Sequence, residues 1–221
     1  MKKTAAVPAR PAPKPRGRPR SFDREAALVA AMEVFWKKGF EGASLADLTG
    51  AMGINPPSLY AAFGDKEDLF LEAAEHYMQR RSASCPYVEE PTARAAIEKL
   101  LTYMAHDFTS PGHPRGCLMM LAAATTGSAP KLQAALARKR ADARARMRAR
   151  IERGLREGDV PPGTDAAGLS DFYATIMTGL SMQARDGASR KSLLATVERA
   201  MSLFPEPRVA GRRGKRERVP A

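Results

Sequence analysis

Residues 44–66 read SLADLTGAMGINPPSLYAAFGDK, and the spacing predicts two short helices joined by a tight turn, with a third following at once. Ser44 stands three residues ahead of Asp47, the capping-box arrangement that satisfies the free N–H groups opening a helix. Leu45, Leu48 and Met52 make the apolar stripe of that helix. Gly53 falls where the chain must turn, because a residue without a β-carbon reaches positive φ at little cost. Ile54 then plugs the angle between the helices. Asn55 is a good N-cap, and Pro56 and Pro57 take the first two helical positions, where a missing N–H has no partner to lose. Leu59 and Phe63, four apart, face inward, while Tyr60 with Ser58 and Ala61 faces out. Gly64 ends the helix as a left-handed cap, and Asp65 caps the longer DKEDLFLEAAEHYMQRR. This is a helix-turn-helix, a unit that lays its second helix in the major groove of duplex DNA. Taken alone, the segment also fits a plain helical hairpin.

The neighbours favour DNA. Upstream lies SFDREAALVAAMEVFWKKGFEG, in which Ser21 or Asp23 caps a helix whose Ala26, Val29, Met32, Phe35 and Trp36 recur at helical spacing and roof the two short helices. Before it comes MKKTAAVPARPAPKPRGRPR, basic and proline-rich, with no apolar run long enough for a signal peptide and no material for a core. Its last part, Arg16-Gly17-Arg18-Pro19-Arg20, has the composition of a hook that enters narrow A·T-rich minor grooves; a solubilising tail is the alternative.

The segment from Gly17 to Ala73 resembles the amino-terminal domain of the TetR/AcrR family of bacterial transcriptional regulators, with a likeness extending over about residues 17–78. The matching pieces are a first helix ending in Gly39-Phe40, Ser44 opening the second, Gly53-Ile54 in the turn, Leu59-Tyr60 with Phe63 in the third, and Lys66 with Leu69-Phe70 opening the fourth. The resemblance implies that Ser44, Tyr60 and Lys66 touch phosphates and that Asn55, Pro56, Pro57, Ser58 and Ala61 face base edges. Pro56, Ala61 and Ala62 stand where many relatives carry lysine, an aromatic or histidine, so bidentate base contacts are few and thymine methyls and shape carry more of the reading.

The rest of the chain is helical by pattern, in segments at about 92–109, 116–127, 130–158, 165–186 and 189–204, broken by PGHP, SAP, GDVPPGTD and DGAS. The expected architecture is all-α: a basic arm (1–20), a three-helix DNA-binding domain with the helix-turn-helix (21–81), a larger helical effector-binding and dimerisation domain (82–204) and a basic tail (205–221). Leu169, Phe172, Tyr173, Ile176 and Leu180, with Leu193, Leu194, Val197, Met201 and Phe204, give the last two helices wide apolar faces. A four-helix homodimer interface through Leu169, Phe172, Ile176, Leu180, Leu194, Val197 and Met201 would let two recognition helices read a palindrome; the core of one chain would use the same residues. The resemblance also implies an effector pocket, for which Tyr103, Met104, Phe108, Leu118, Met119, Met120, Leu121, Phe172, Tyr173, Ile176, Met177 and Met182 are candidates, or ordinary core. The helix at 130–158 carries RKRADARARMRARIER. It reads as a solvated helix or, alternatively, as a site for an anionic effector.

Cys85 and Cys117 form no disulfide framework. Cys117 follows His113-Pro114-Arg115-Gly116 at a helix start, where the dipole and Arg115 would favour a thiolate, so a redox- or electrophile-responsive regulator is an alternative. An enzyme is not expected: His76, His106, His113 and Asp107 sit in no catalytic or metal-binding spacing, and no cofactor or metal is expected. An effector-independent architectural DNA-binding protein would share the arm and the helix-turn-helix without needing so large a second half. The reading is a cytoplasmic repressor, held at the nucleoid by its DNA and released from a palindromic operator by a small molecule, with no membrane partner.

Charge is unevenly placed. Of the formal +12, residues 1–20 supply seven basic side chains and no acid, and residues 205–221 supply six basic and two acidic ones. Residues 21–81 hold six basic against ten acidic side chains. Phosphate attraction must therefore come largely from the tails. Each neutralised phosphate releases a counterion, so deleting residues 1–16 is expected to flatten a steep dependence of DNA affinity on salt, read by fluorescence anisotropy across a salt series. An unchanged slope would overturn this.

Overall fold

The structure is a computed structural model that describes residues 22–122 and 126–206. Arg16, Arg18 and Arg20 lie outside the described residues. The described chain is helical throughout: α1 (Arg24–Gly42), α2 (Leu45–Met52), α3 (Pro56–Phe63), α4 (Lys66–Ser84), α5 (Ala93–Phe108), α6 (Leu118–Leu121), α7 (Pro130–Glu157), α8 (Ala166–Arg185) and α9 (Arg190–Met201), with a 3-10 turn at Tyr87–Glu89.

Capping fixes where the helices begin. Asp23 accepts the N–H groups of Glu25 and Ala26 at 2.9 and 3.1 Å and opens α1. Ser44 and Asp65 each sit in a reciprocal capping box, with Asp47 and Asp68 as partners. Gly53 takes the left-handed conformation (φ 65°, ψ 29°), the sharp turn between α2 and α3. Gly64 also has positive φ (76°), but its ψ of −143° takes it out of the left-handed cap expected there. A β-carbon on Gly64 would lie 2.4 Å from Asp68 Oδ2, so the capping box of α4 requires a glycine at that point.

The buried face of α1 is Ala27, Leu28, Ala31, Met32, Phe35 and Trp36, while Ala26 is exposed. The stripe thus sits one position later than the spacing suggested at its start. Leu48 and Met52 are buried, but Leu45 is exposed. Phe35, Phe40 and Phe70 make the centre of the first core: Phe70 meets Phe35 edge-on at 4.7 Å between centroids and Phe40 at 5.6 Å. Such contacts add about 0.5–1.5 kcal/mol each beyond area burial.

In the second half α5 packs against both α8 and α9, and α7 runs along α8. One continuous cluster of buried side chains joins the two halves. The α4 helix passes through residue 81 to Ser84, so the halves share a helix rather than a linker. The helix expected at 116–127 is only the single turn α6 at Leu118–Leu121 within the described residues.

The residues expected at a dimer face differ in burial. Leu180, Val197 and Met201 are buried within the chain itself, whereas Leu169, Ile176 and Leu194 are half-buried and Phe172 is exposed. The apolar band of α8 is wider than one packing partner needs. Its Tyr173, Met177, Leu180 and Ala184 edge goes inward, while Phe172 and Met182 stay exposed and Ile176 is half-buried.

Replacing Phe70, fully buried between two rings, by alanine is expected to cost about 3–5 kcal/mol. Urea denaturation of Phe70→Ala followed by circular dichroism measures this; a loss under 1 kcal/mol would mean the aromatic cluster is not what holds α1 to α4.

Candidate nucleic-acid interface and effector cavity

The outer face of the helix-turn-helix is built from the start of α2 and the exposed side of α3. Leu59 and Phe63 anchor α3 from beneath. Asn55, Pro56, Pro57, Tyr60 and Ala61 are exposed, Tyr60 at 48%, and Ser58 is half-buried. The Asn55 side-chain oxygen accepts the Ser58 N–H at 2.9 Å, which leaves its amide NH₂ as the donor facing out. Arg24 clamps this face from behind: it pairs with Glu72 in α4, donates to the Ala62 carbonyl at 3.1 Å, and lies over the Phe63 ring at 4.4 Å.

The face carries little positive charge to spare. Lys38 Nζ is 2.6 Å from Asp47 Oδ1, Lys37 pairs with Glu33, and Arg81 is buried away from it. Asp47 is held down at about 2 by the Lys38 hydrogen bond and then by the Ser44 hydroxyl and N–H, so it stays ionised beside the surface. The Ser44 hydroxyl itself points into this box, 2.7 Å from Asp47 Oδ2. Lys66 stands at the N-terminus of α4 with its Nζ 4.6 Å from the centre of the Phe40 ring; burial lowers its pKa, opposed by Glu41.

A cavity of ≈ 340 Å³ opens between α4, α5, α7 and α8. Tyr77, Met78, Arg81, Tyr103, Met104, Met119, Met120, Met147 and Met177 line it, with both cysteines and with Lys139, Arg140, Arg144 and Arg146 from α7. Arg81 is its buried cation. Its Nη1 is 2.7 Å from Asp107 Oδ2 and hydrogen-bonded to the Tyr77 hydroxyl, and its guanidinium lies within 6 Å of the Tyr77, Tyr103 and Phe108 rings. Burial works against this charge, but Tyr77, Cys117 and Asp107 outweigh it and raise the pKa.

The cavity and the DNA-reading half meet at one joint. Trp36 of α1 stacks on His113 at 4.7 Å and meets Tyr77 of α4 edge-on at 5.0 Å. His113 Nε2 lies 3.4 Å from Asp107 Oδ1, the carboxylate that also faces Arg81. From the far side Arg185, the last residue of α8, donates to the Trp36 and Lys37 carbonyls at 3.0 and 2.9 Å. Glu41 accepts the Ser128 N–H at 3.0 Å, and Lys139 of α7 pairs with Glu75 of α4.

Among the residues named from sequence for a pocket, Tyr103, Met104, Met119, Met120 and Met177 line this cavity. Phe108 is buried beside Arg81, and Tyr173 is buried with its hydroxyl donating to the Ala200 carbonyl at 3.1 Å and its ring tilted on Phe204. Phe172, Ile176 and Met182 do not line it; these α8 side chains were assigned by type, and α8 turns them elsewhere. Cys117 lines the cavity and is buried, but Arg115 does not face it: Arg115 caps the end of α8 through the carbonyls of Ala184 and Ala188. The cations coupled electrostatically to Cys117 are Arg81 and Arg140. Arg81 and Tyr87 were missed, and Lys139 and Arg140 were legible only as part of the basic run, because only the fold brings four helices to one cavity. The basic run in α7 was the one available signal. Among the described residues no group of three or more metal-ligating side chains is assembled, and no helix is long and apolar enough to cross a membrane.

A helix-turn-helix with an exposed second helix, joined through a packed seam to a helical body enclosing a cavity, defines a DNA-binding transcriptional regulator. The family model for bacterial regulatory proteins of the tetR family matches residues 27–73, and that for the Tetracyclin repressor-like C-terminal domain matches residues 91–201. The chain belongs to the TetR family. It is 36% identical over 198 residues, 87% of this chain and 94% of the relative, to the HTH-type transcriptional repressor ComR of Escherichia coli K12. With the repressor BdcR of the same strain it shares 32% identity over 83% of this chain and 90% of the relative. A solved structure of a cysteine mutant of the TetR family regulator CifR, complexed with 26-base-pair operator DNA, superposes with a TM-score of 0.82 at 48% identity, covering 85% of this chain and all of that one.

The Asp47 box yields a pH test. A carboxylate whose pKa is lower folded than unfolded adds stability that is present above the unfolded value of about 3.9 and is lost as pH falls through the folded value. The Asp47 carboxylate, held at about 2, is therefore expected to make Asp47→Asn melt lower than the natural protein near neutrality, with the gap closing as pH falls toward 2. Thermal melts by circular dichroism check this; a gap constant with pH would discount the ionised box.

Proposed function

We propose that this chain represses transcription by occupying a palindromic operator as a homodimer, and that a small molecule entering the cavity releases it. The exposed face of α3, set between the caps of Asn55 and Gly64, carries the reading: among the described residues its outer side chains are left open to solvent. Tyr60, Lys66 and Ser44 would sit on phosphates, and Asn55, Pro56, Pro57, Ser58 and Ala61 on base edges, with Arg16, Arg18 and Arg20 reaching the minor groove. The complex of CifR with operator DNA and the repressors ComR and BdcR support the assignment by likeness. The division into a DNA-binding part to residue 81 and a regulatory part beyond it belongs to the same reading, as does action at the nucleoid in the bacterial cytoplasm. The free edge of α8, with Phe172 36% accessible and Ile176 beside it, together with Leu169 and Leu194, supports pairing with a second copy. Two arms and two α3 helices on one axis match a palindrome.

Release follows from the joint. A ligand that prefers one placement of α4 and α5 biases Trp36, and hence α1, so only its difference in affinity between the two arrangements moves the DNA equilibrium. Covalent modification of Cys117 is a second route to the same movement, favoured by its place in the cavity lining.

Selection of bound duplexes from a random pool by the full-length protein tests this. One palindromic motif is expected, and Lys66→Met is expected to weaken binding evenly across sequences and lower the salt slope by about 1. Binding without a motif would overturn the reading in favour of an architectural protein. Operator affinity unchanged after N-ethylmaleimide treatment would remove the Cys117 route.

A further inference from the structure

The lining of the cavity is unbalanced in charge. Among the described residues five cationic ones line it, Arg81, Lys139, Arg140, Arg144 and Arg146, and no Asp or Glu does. Three of the five have acids behind them: Lys139 pairs with Glu75, Arg144 with Asp171, and Arg81 with Asp107. Arg140 and Arg146 pair with no carboxylate among the described residues. Arg140 is half-buried and spends one Nη1 donor on the Met119 carbonyl at 3.3 Å, and the buried Nη2 of Arg81 has no hydrogen-bond partner. Burial also lowers the Arg140 pKa, opposed by Cys117.

A guanidinium taken out of water with donors unspent favours an anion that fits its fork. Around these cations lie Met78, Met104, Met119, Met120, Met147 and Met177, flexible thioether side chains that adapt to an apolar body. The volume of ≈ 340 Å³ is at the small end of ligand pockets. Exposed Arg144 and Arg146, half-buried Lys139 and Arg140, and the deeper Arg81 form a graded positive path.

From this geometry we propose that the effector is an amphipathic carboxylate, its acid group held by Arg140 with Arg81 and its apolar body held among the methionines. This rests on the ligand-controlled reading above and names the ligand class. The acid group would tie α7, through Arg140, to α4, through Arg81. Since α4 also carries Lys66 and Tyr77, the charge of the ligand acts on the helix that supports α3. The arginine-rich run of α7 then has a use beyond solvation: its residues 139–146 carry the cations of the cavity, while Arg148 and Arg153 pair along the helix with Glu152 and Glu157.

The test is isothermal titration of the full-length protein with octanoate, 1-octanol and octylammonium, and with 3-phenylpropionate and 3-phenylpropanol. A hydrogen-bonded charge of this kind is worth roughly 1.5–3 kcal/mol, so at least one acid is expected to bind about tenfold or more tightly than its alcohol, with octylammonium weakest. Arg140→Met, which keeps the apolar stem, is expected to level acid and alcohol, and Arg140→Lys to restore part of the difference. If neither acid exceeds its alcohol, or if a folded Arg140→Met protein keeps the preference, the proposal is overturned. Should Arg140→Met fail to fold by circular dichroism, the comparison of acid, alcohol and ammonium on the natural protein decides alone. Acid binding that leaves operator affinity unchanged supports the anion site and removes release by ligand, so the two readings fail separately.

Discussion

The constraint on which the rest of this molecule depends is that α4 belongs to both halves. Its first residue, Lys66, lies beside Phe40 and the recognition helix, and Arg81 near its other end lies in the cavity wall. At 1.5 Å per residue these points are roughly 22 Å apart along one helix. A helix closely packed along its length moves as a rod, so displacement at Arg81 is felt at Lys66 without passing through a flexible segment. The single hydrophobic cluster follows from this arrangement: Phe70 and Leu69 of α4 fill its part in the DNA-reading half, and Ala74 and Tyr77 carry it on toward the second half. The joint at Trp36, His113 and Tyr77 closes the loop by tying α1 to the same rod.

Positioning and attraction are divided between different parts of the chain. Within the DNA-reading half, cations are spent on structure: Arg24 fastens α1 to α4, Lys38 completes the Asp47 box, and Arg81 is buried. What remains outward is polar, aromatic and small, suited to docking against a groove rather than to drawing a duplex from a distance. The excess positive charge of the sequence stands in its first and last segments. On the function proposed above, capture would fall to those segments and recognition to α3, so that each could change without disturbing the other.

The parts legible in sequence are those fixed by contacts three or four residues apart. Ser44 with Asp47, Asn55 with Ser58, Asp65 with Asp68 and the glycine at 53 each speak through a neighbouring backbone group, so their type and spacing alone placed α2, α3 and the turn. What spacing does not reveal is which side of a doubly apolar helix faces home. Leu180 and Phe172 read alike, yet one is interior and the other open. Arg115 stood two residues from Cys117 in sequence and turned to the end of α8, while Arg81 and Arg140, far from it in sequence, came to its side. Of the arginines in α7, Arg150 is buried, donating to the Glu90 carbonyl, and nothing in the alternation of RARMRAR distinguishes it from Arg148, which is exposed. Long-range partners decide these cases, and they exist only once the chain has folded.

The sequence contains one tryptophan, and it is the residue at the joint. Trp36 is buried, sandwiched with His113, edge-on to Tyr77, and has its carbonyl held by Arg185. The intrinsic ultraviolet emission of this protein therefore originates mainly at a single place, the seam between the DNA-reading half and the cavity. The molecule has a built-in optical gauge at that joint, needing no label, whose colour and intensity follow the packing of those few groups.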